Sequence, residues 1–293
     1  MKTTSLKTVI LILSAVGLSG ICSLAYSQKK QDAAPAAGAT KITYVYQQGK
    51  QYKYQSDTKI VQDLDINGQS MQVNVTMNLA CEVKGSGKQG ENLGIAVKID
   101  SMAALIDSPQ GSNGGPVQEV KDKSFNIVIT PSGKAVDLSG AAKIEYNSGN
   151  GQSNLSQQFI DFFPALPAGP VKPGDTWTVN DTINTKSAGD TLYMPQKTDY
   201  KFEGTEVVDG VECAKITAAL SGTRKMVTQS GGMEIHINGP FTGTMELLIG
   251  VKDGCLVKET VATKMTGTME LPDQGGISFP DVMTVNATNK LVK

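Results

Sequence analysis

Residues 71–83 read Met71-Gln72-Val73-Asn74-Val75-Thr76-Met77-Asn78-Leu79-Ala80-Cys81-Glu82-Val83. Met71, Val73, Val75, Met77, Leu79, Cys81 and Val83 alternate with Gln72, Asn74, Thr76, Asn78 and Glu82. Successive side chains of a strand point to opposite faces, so this stretch is a long strand with one apolar and one wet face, the pattern of an antiparallel sheet. The segment before it, Tyr52 to Ile66, joins it through Asn67-Gly68, a dipeptide that accepts the positive φ angles of a tight hairpin turn. Ser132-Gly133, Asp209-Gly210 and Asp253-Gly254 punctuate the chain in the same way. They separate segments rich in Val, Ile, Thr and Met, such as Phe125 to Thr130 and Thr244 to Val251, which read as further hairpins. Helical patterning is scarce. Its best instance is Asn154 to Phe162, where Leu155, Phe159, Ile160, Phe162 and Phe163 cluster before Pro164 stops the run; a shorter helix is expected after Ser139-Gly140.

The strands recur. Gly49-Lys50-Gln51-Tyr52 matches Gly174-Asp175-Thr176-Trp177, Val83-Lys84-Gly85 matches Phe202-Glu203-Gly204, Val97-Lys98-Ile99 matches Ala214-Lys215-Ile216, and Thr130-Pro131-Ser132-Gly133 matches Val251-Lys252-Asp253-Gly254. Four matches in the same order, each offset by roughly 120 residues, describe two copies of one antiparallel meander. The expected division is a signal peptide over 1–27, a flexible linker over 28–40, a first β meander over 41–146, a helix and Pro-rich crossing over 147–173, and a second meander over 174–293. The fold class expected is mainly β: two tandem meanders forming one curved sheet or partly open barrel, with one or two short helices.

A chain of 293 residues with 39% hydrophobic and 19% charged residues is long enough for one or two cored domains and is neither fibrous nor disordered in composition. It holds a single histidine, His236, and a single tryptophan, Trp177, with 5% aromatic residues. One histidine rules out a multi-histidine metal site and leaves little for triad chemistry.

Lys2 and Lys7 precede the apolar run Val9 to Leu18, too short for a permanent membrane helix and of the form of a secretory signal. Small residues at Ala25 and Ser27 place cleavage after Ser27. A lipid-anchored alternative would retain Cys22 as the first residue, although Ile21 stands before it where a small residue is expected. No later segment could span a membrane as a helix. Cleavage removes two lysines and no acid, so the mature chain is acidic, with no basic field for nucleic acid. Residues 28–40 (QKKQDAAPAAGAT) carry no periodicity and form the tether. Cys81, Cys213 and Cys255 remain in a compartment that permits disulfides. The expectation is one bridge, Cys213 to Cys255, both near hairpin turns, with Cys81 a buried apolar residue.

The crossing reads Phe162-Phe163-Pro164-Ala165-Leu166-Pro167-Ala168-Gly169-Pro170-Val171-Lys172-Pro173 and runs on into Gly174-Asp175-Thr176-Trp177; its prolines stiffen it into an extended segment. The combination Phe-Pro-x-Leu-Pro followed by Val-Lys-Pro-Gly-Asp-Thr-Trp resembles a family of uncharacterised secreted bacterial proteins defined as a domain of unknown function. That resemblance covers most of the mature chain and implies a signal peptide or lipid anchor and paired β meanders; it brings no catalytic residues. A more distant similarity is to the half-barrels of periplasmic lipoprotein carriers, in which a long antiparallel sheet wraps an apolar groove closed by helices. It is an analogy of fold, and fold does not imply function.

Three motifs suggest chemistry and fail on context. Gly85-Ser86-Gly87-Lys88-Gln89-Gly90 has dinucleotide-loop spacing, but the strand-like Leu93 to Ile99 follows it where a helix is required. Asp63-Leu64-Asp65-Ile66-Asn67-Gly68 begins like a calcium loop, yet its twelfth position is Asn74 rather than Glu, so it reads as a β turn. His236 alternates onto the polar side of a strand beside Glu234. No GxSxG elbow occurs. The expectation is therefore an exported non-enzymatic protein with no cofactor and no metal, found in the periplasm or at the cell surface.

Methionines are prominent in the strands, among them Met71, Met77, Met226, Met233, Met245, Met265 and Met269. Flexible thioethers adapt to varied apolar shapes, so a groove for a lipid or other apolar small molecule is one expectation, lined by Met71, Val73, Val75, Met77 and Leu79 and gated by Phe159, Phe162 and Phe163. The alternative is a structural or interaction module whose core is filled and whose edge strands meet another envelope protein.

Overall fold

The computed structural model describes residues 38–66, 68–147, 152–187, 190–230 and 232–292. The expected signal peptide with Cys22, residues 28–37 of the tether, and Asn67 of the first hairpin turn lie outside the described residues.

In chain order the elements are β1 (Gln51–Ile66), β2 (Gln69–Gln89), β3 (Asn92–Ser108), β4 (Gly111–Pro116), β5 (Ser124–Ile129), β6 (Ala135–Asp137), the one-turn helix α1 (Ser139–Ala142), β7 (Glu145–Asn147), β8 (Gln152–Asn154) and the one-turn helix α2 (Ser156–Phe159). They continue as β9 (Thr176–Ser187), β10 (Asp190–Val208), β11 (Val211–Ser230), β12 (Met233–Gly250), β13 (Leu256–Leu271) and β14 (Ile277–Val292). The protein is mainly β. Among the described residues, one sheet of twelve strands runs β6-β5-β3-β2-β1-β14-β13-β12-β11-β10-β9, with β4 beside β3, while β7 and β8 pair separately. Every ladder in it is antiparallel. The first strand of the first meander pairs with the last strand of the second, Lys53 opposite Val292 through Leu64 opposite Asp281.

The alternation in 71–83 is realised in β2: Val73, Val75, Leu79, Cys81 and Val83 are buried and Met71 and Met77 partly so. The repeated segments fall on corresponding strands. Tyr52 and Trp177 open β1 and β9, and Val97–Ile99 and Ala214–Ile216 lie in β3 and β11. Gly85 and Gly204 each mark a bulge, in β2 and β10. Such bulges bend a strand and increase its local twist.

Buried residues run along one face from Val75 through Ile60 and Val285 to Leu220 and Thr198. Two single-turn helices and one crossing cannot cover so wide a face, so the twisted sheet covers it by curling on itself. Burial pushes the Asp181 carboxyl on β9 up to about 6, while the Thr182 N–H and the charge of Lys134, in the turn after β5, pull it down. Among the described residues β6 and β9 share no ladder, so the sheet is an open half-barrel rather than a closed barrel.

The helix expected over 154–162 is shorter than its pattern. Asn154 accepts from the Ser156 N–H at 3.1 Å and ends β8 in a turn, and the helical turn that follows stops at Phe159. Phe162 and Phe163 belong to the crossing, which is held to the sheet by its rings. Among the described residues no helix is long and apolar enough to cross a membrane.

Candidate functional site

Directly opposed residues of an antiparallel ladder share a face, so the strand registers define rows across the interior of the half-barrel. One row passes from Gln196 through Gly222, Phe241, Met265, Met283 and Gln62 to Val73. The neighbouring row starts at Arg224 opposite Gly239 on β12, continues at Gly267 on β13 opposite Asp281 on β14, and ends at Leu64 and Met71. Gly239 and Gly267 lie against each other: a Cβ on Gly239 would meet the Gly267 Cα at 2.6 Å. With no side chain on either glycine, the Arg224 guanidinium lies across two strands and donates from Nη2 to Asp281 Oδ2 at 2.6 Å.

Asp281 Oδ1 accepts from Gln62 Nε2 at 2.8 Å, and Arg224 Nη1 lies 3.6 Å from the Met283 sulfur. Arg224, Asp281 and Gln62 are 3%, 0% and 0% exposed. Burial lowers the Arg224 pKa and the facing Asp281 raises it. The cluster is incompletely satisfied: Arg224 Nε and Gln62 Oε1 have no hydrogen-bond partner, nor does the Thr263 hydroxyl one row further on. Buried polar atoms in folded proteins are nearly always paired, so each exception asks for an account.

A second polar group lies toward the other end. Leu247, Glu259, Asn289, Ser56 and Leu79 form one row. Ser56 Oγ donates to Asn289 Oδ1 at 3.0 Å, and Asn289 Nδ2 donates to the Phe162 carbonyl at 3.5 Å. Glu259 is buried, and burial alone pushes its carboxyl up to about 8, so at neutral pH it is mostly protonated. Beside this row sits an aromatic plug. The Phe162 ring meets Tyr54 at 5.4 Å, Phe159 at 5.0 Å and Phe163 at 5.0 Å; Phe159 also meets Phe125, and Phe163 meets Tyr44 and Tyr46. Tyr44 donates to the Pro164 carbonyl at 3.0 Å, Tyr54 to the Leu256 carbonyl at 2.8 Å, and the Tyr46 and Tyr54 hydroxyls are 2.7 Å apart.

The residues expected to line and gate a groove are thus divided between two ends. Leu79 lies in the row that reaches Phe162 through Asn289. Met71 and Val73 lie in the Arg224 and Gln62 rows, with Val75 and Met77 between. Tyr54, beneath Phe162, faces Cys81; Met71 is about ten residues further along β2, roughly 33 Å at strand rise. Phe159, Phe162 and Phe163 pack together beside Tyr54, toward the end of β2 away from Met71.

The expected Cys213–Cys255 bridge is not made: Cys81, Cys213 and Cys255 are all buried free thiols. Cys213 on β11 is opposite Gly250 on β12, and Gly250 donates its N–H to the Cys255 carbonyl at 2.9 Å. A strand therefore lies between the two cysteines, putting their Cα atoms two strand spacings apart, roughly 10 Å, where a disulfide needs about 4.4–6.8 Å. The Cys255 sulfur fills the gap left by Gly250, 3.5 Å from where its Cβ would be. Burial raises the pKa of all three thiols, that of Cys255 to about 11, which keeps them unreactive.

The rejected motifs take the places their context indicated. Gly85 to Gln89 continues β2 along β3 through a bulge, Gln89 opposite Asn92. Asp65 Oδ1 accepts from the Gly68 N–H at 2.8 Å and so closes a turn. His236 Nε2 is 2.7 Å from Glu234 Oε1 on a partly exposed face. Among the described residues no group of three or more His, Cys, Asp or Glu could hold a metal ion.

No family model matches the chain, and no curated protein matches it. Among solved structures it is similar to a Bacteroides fragilis protein with a YmcC-like fold, at 9% identity and a TM-score of 0.22 over 85% of this chain and 97% of that one. It is also similar to a DUF1329 family protein from Desulfovibrio piger, at 11% identity and a TM-score of 0.14 over 81% and 85% of the two chains. At those scores neither likeness bears on what this chain binds.

Neither motif nor periodicity marks Arg224, Asp281, Gln62, Glu259 or Thr263. One signal was present. Arg224 is the only arginine in the sequence, every other basic residue among the 27 being lysine, and it sits two places from Met226 in the strand parity that faces inward.

Proposed function

We propose that the protein is an exported, non-enzymatic binding protein of the bacterial envelope whose half-barrel interior takes up an apolar or amphipathic molecule. The signal-like segment at 9–18 supports export. The observation that carries the binding reading is the unpaired Arg224 Nε, Gln62 Oε1 and Thr263 hydroxyl on an inner face where methionines stand beside them. A core selected only for packing carries apolar or fully paired groups there. Methionines rearrange at low cost to admit a guest, and Met71, partly exposed, leads from this region toward the β1–β2 turn.

A filled-core structural or interaction module is the second reading. It is favoured by Val73 and Val75 at 1% exposure and Leu79 at 6%, and by β9, which among the described residues pairs only with β10 and so offers an edge for strand addition.

Native mass spectrometry of the protein from its own host separates the two. A co-purifying apolar molecule supports the binding reading, and a bare mass with no uptake of a lipid probe overturns it. Met77→Trp should lower probe binding with secretion and folding intact; an unfolded product points to a solid core.

A further inference from the structure

We infer that the Arg224–Asp281–Gln62 cluster is the head-group site of that interior and that it selects an uncharged hydroxyl or amide head on an apolar body. The inference rests on the binding reading above and adds the chemical class of ligand. Arg224 and Gln62 hold opposite oxygens of one carboxylate, Nη2 on Oδ2 and Nε2 on Oδ1. Their remaining atoms are complementary: Arg224 Nε carries a hydrogen to donate and Gln62 Oε1 a lone pair to accept. A group able both to accept and to donate, a hydroxyl or a primary amide, answers both atoms.

Charge decides against ionic heads. The Arg224 cation is already matched by Asp281, with both side chains 3% exposed or less. A second carboxylate would place two anions around one guanidinium in a low-dielectric interior, and a quaternary ammonium would face that guanidinium directly. A neutral head meets no such penalty. The choice of arginine is consistent with this role, since its planar fork can serve Asp281 through one edge and still present the Nε–H, whereas lysine offers a single point of charge. Leu64 and Met71 in the same row, with Met265 and Met283 alongside, provide an adaptable wall for the apolar body.

The test is calorimetric titration of the full chain with four ten-carbon probes: decanol, decanamide, decanoate and decyltrimethylammonium. The expected result is binding of the alcohol and the amide about tenfold or more tighter than the two ions. Arg224→Lys, which keeps the charge facing Asp281 but lacks the Nε–H, and Gln62→Met, which removes the acceptor, should each erase most of that preference. Equal affinities for all four probes overturn the inference and leave the binding reading standing. A neutral preference that survives both variants overturns the assignment to these residues. Failure of every probe to bind overturns the binding reading itself. Should one variant fail to fold, the other decides the assignment to these residues, and the ranking on the unaltered chain decides the preference for a neutral head.

Discussion

Arg224 on β11 and Asp281 on β14 meet at 2.6 Å with two strands between them, because Gly239 and Gly267 leave a lane in which the guanidinium lies. The contact ties together strands that share no ladder, and both charges are out of water. Removing one partner strands a charge, while removing both does not. Arg224→Met should lower unfolding stability by about 3–5 kcal/mol, and the double variant Arg224→Met with Asp281→Leu should recover most of the loss. Urea titrations of the two variants check this; equal losses would mean that the charge left behind finds solvent.

The glycine lane makes its own demand. A Cβ on Gly267 would run into the Asn238 carbonyl oxygen and lie 2.8 Å from the Gly239 Cα, and neither is the flexible end of a side chain. Gly267→Ala should destabilise by about 2 kcal/mol or more and open the β12–β13 ladder locally, seen as faster amide exchange at its register partners. Unchanged exchange and stability would show that the strands separate freely here.

Glu259 supplies a pH dependence. Its carboxyl is raised from the ordinary 4.5 to about 8 by burial, so between those values the folded chain binds more protons than the unfolded chain. Stability therefore falls as pH rises through that window, by roughly 1.4 kcal/mol for each pH step of one and a few kcal/mol in total, and levels off above about pH 8. Glu259→Gln should flatten the profile, leaving the smaller slope of half-buried Asp181, and should be more stable than the unaltered protein at pH 8. Thermal melts from pH 4.5 to 9 measure this, and a profile that the substitution leaves unmoved would place Glu259 in contact with solvent.

The three buried thiols should remain thiols. Alkylation after unfolding should add three labels to a chain that begins at Gln28, and almost none before unfolding, given burial of Cys81, Cys213 and Cys255. A mass two hydrogens lighter, with one label, would require the β12 strand between Cys213 and Cys255 to move aside.

Much of the fold was legible. The period of two in 71–83 placed an apolar face on β2, Gly-containing turns marked the hairpins, and three of the four repeated segments lie at β1 and β9, β2 and β10, and β3 and β11. Legibility failed where a short apolar cluster admits more than one geometry. Phe159, Phe162 and Phe163 look like one face of a helix, but Asn154 begins a turn and only Phe159 is helical; the other two rings are placed by Tyr54, Tyr44 and Tyr46. Proximity in sequence also misled at Cys213 and Cys255, since a hairpin brings neighbouring segments together one strand at a time and Gly250 stands between them.

The alternation, the hairpin turns and the singularity of Arg224 are written in the local order of residues, which backbone geometry reads directly. Tertiary structure alone decided that β1 pairs with β14, that Leu79 and Met71 serve opposite ends of the interior, and that Arg224 faces Asp281 across two glycines. Those relations depend on the summed registers of several ladders and on the curl of the whole sheet, and a shift of one residue in any ladder would turn a side chain to the other face.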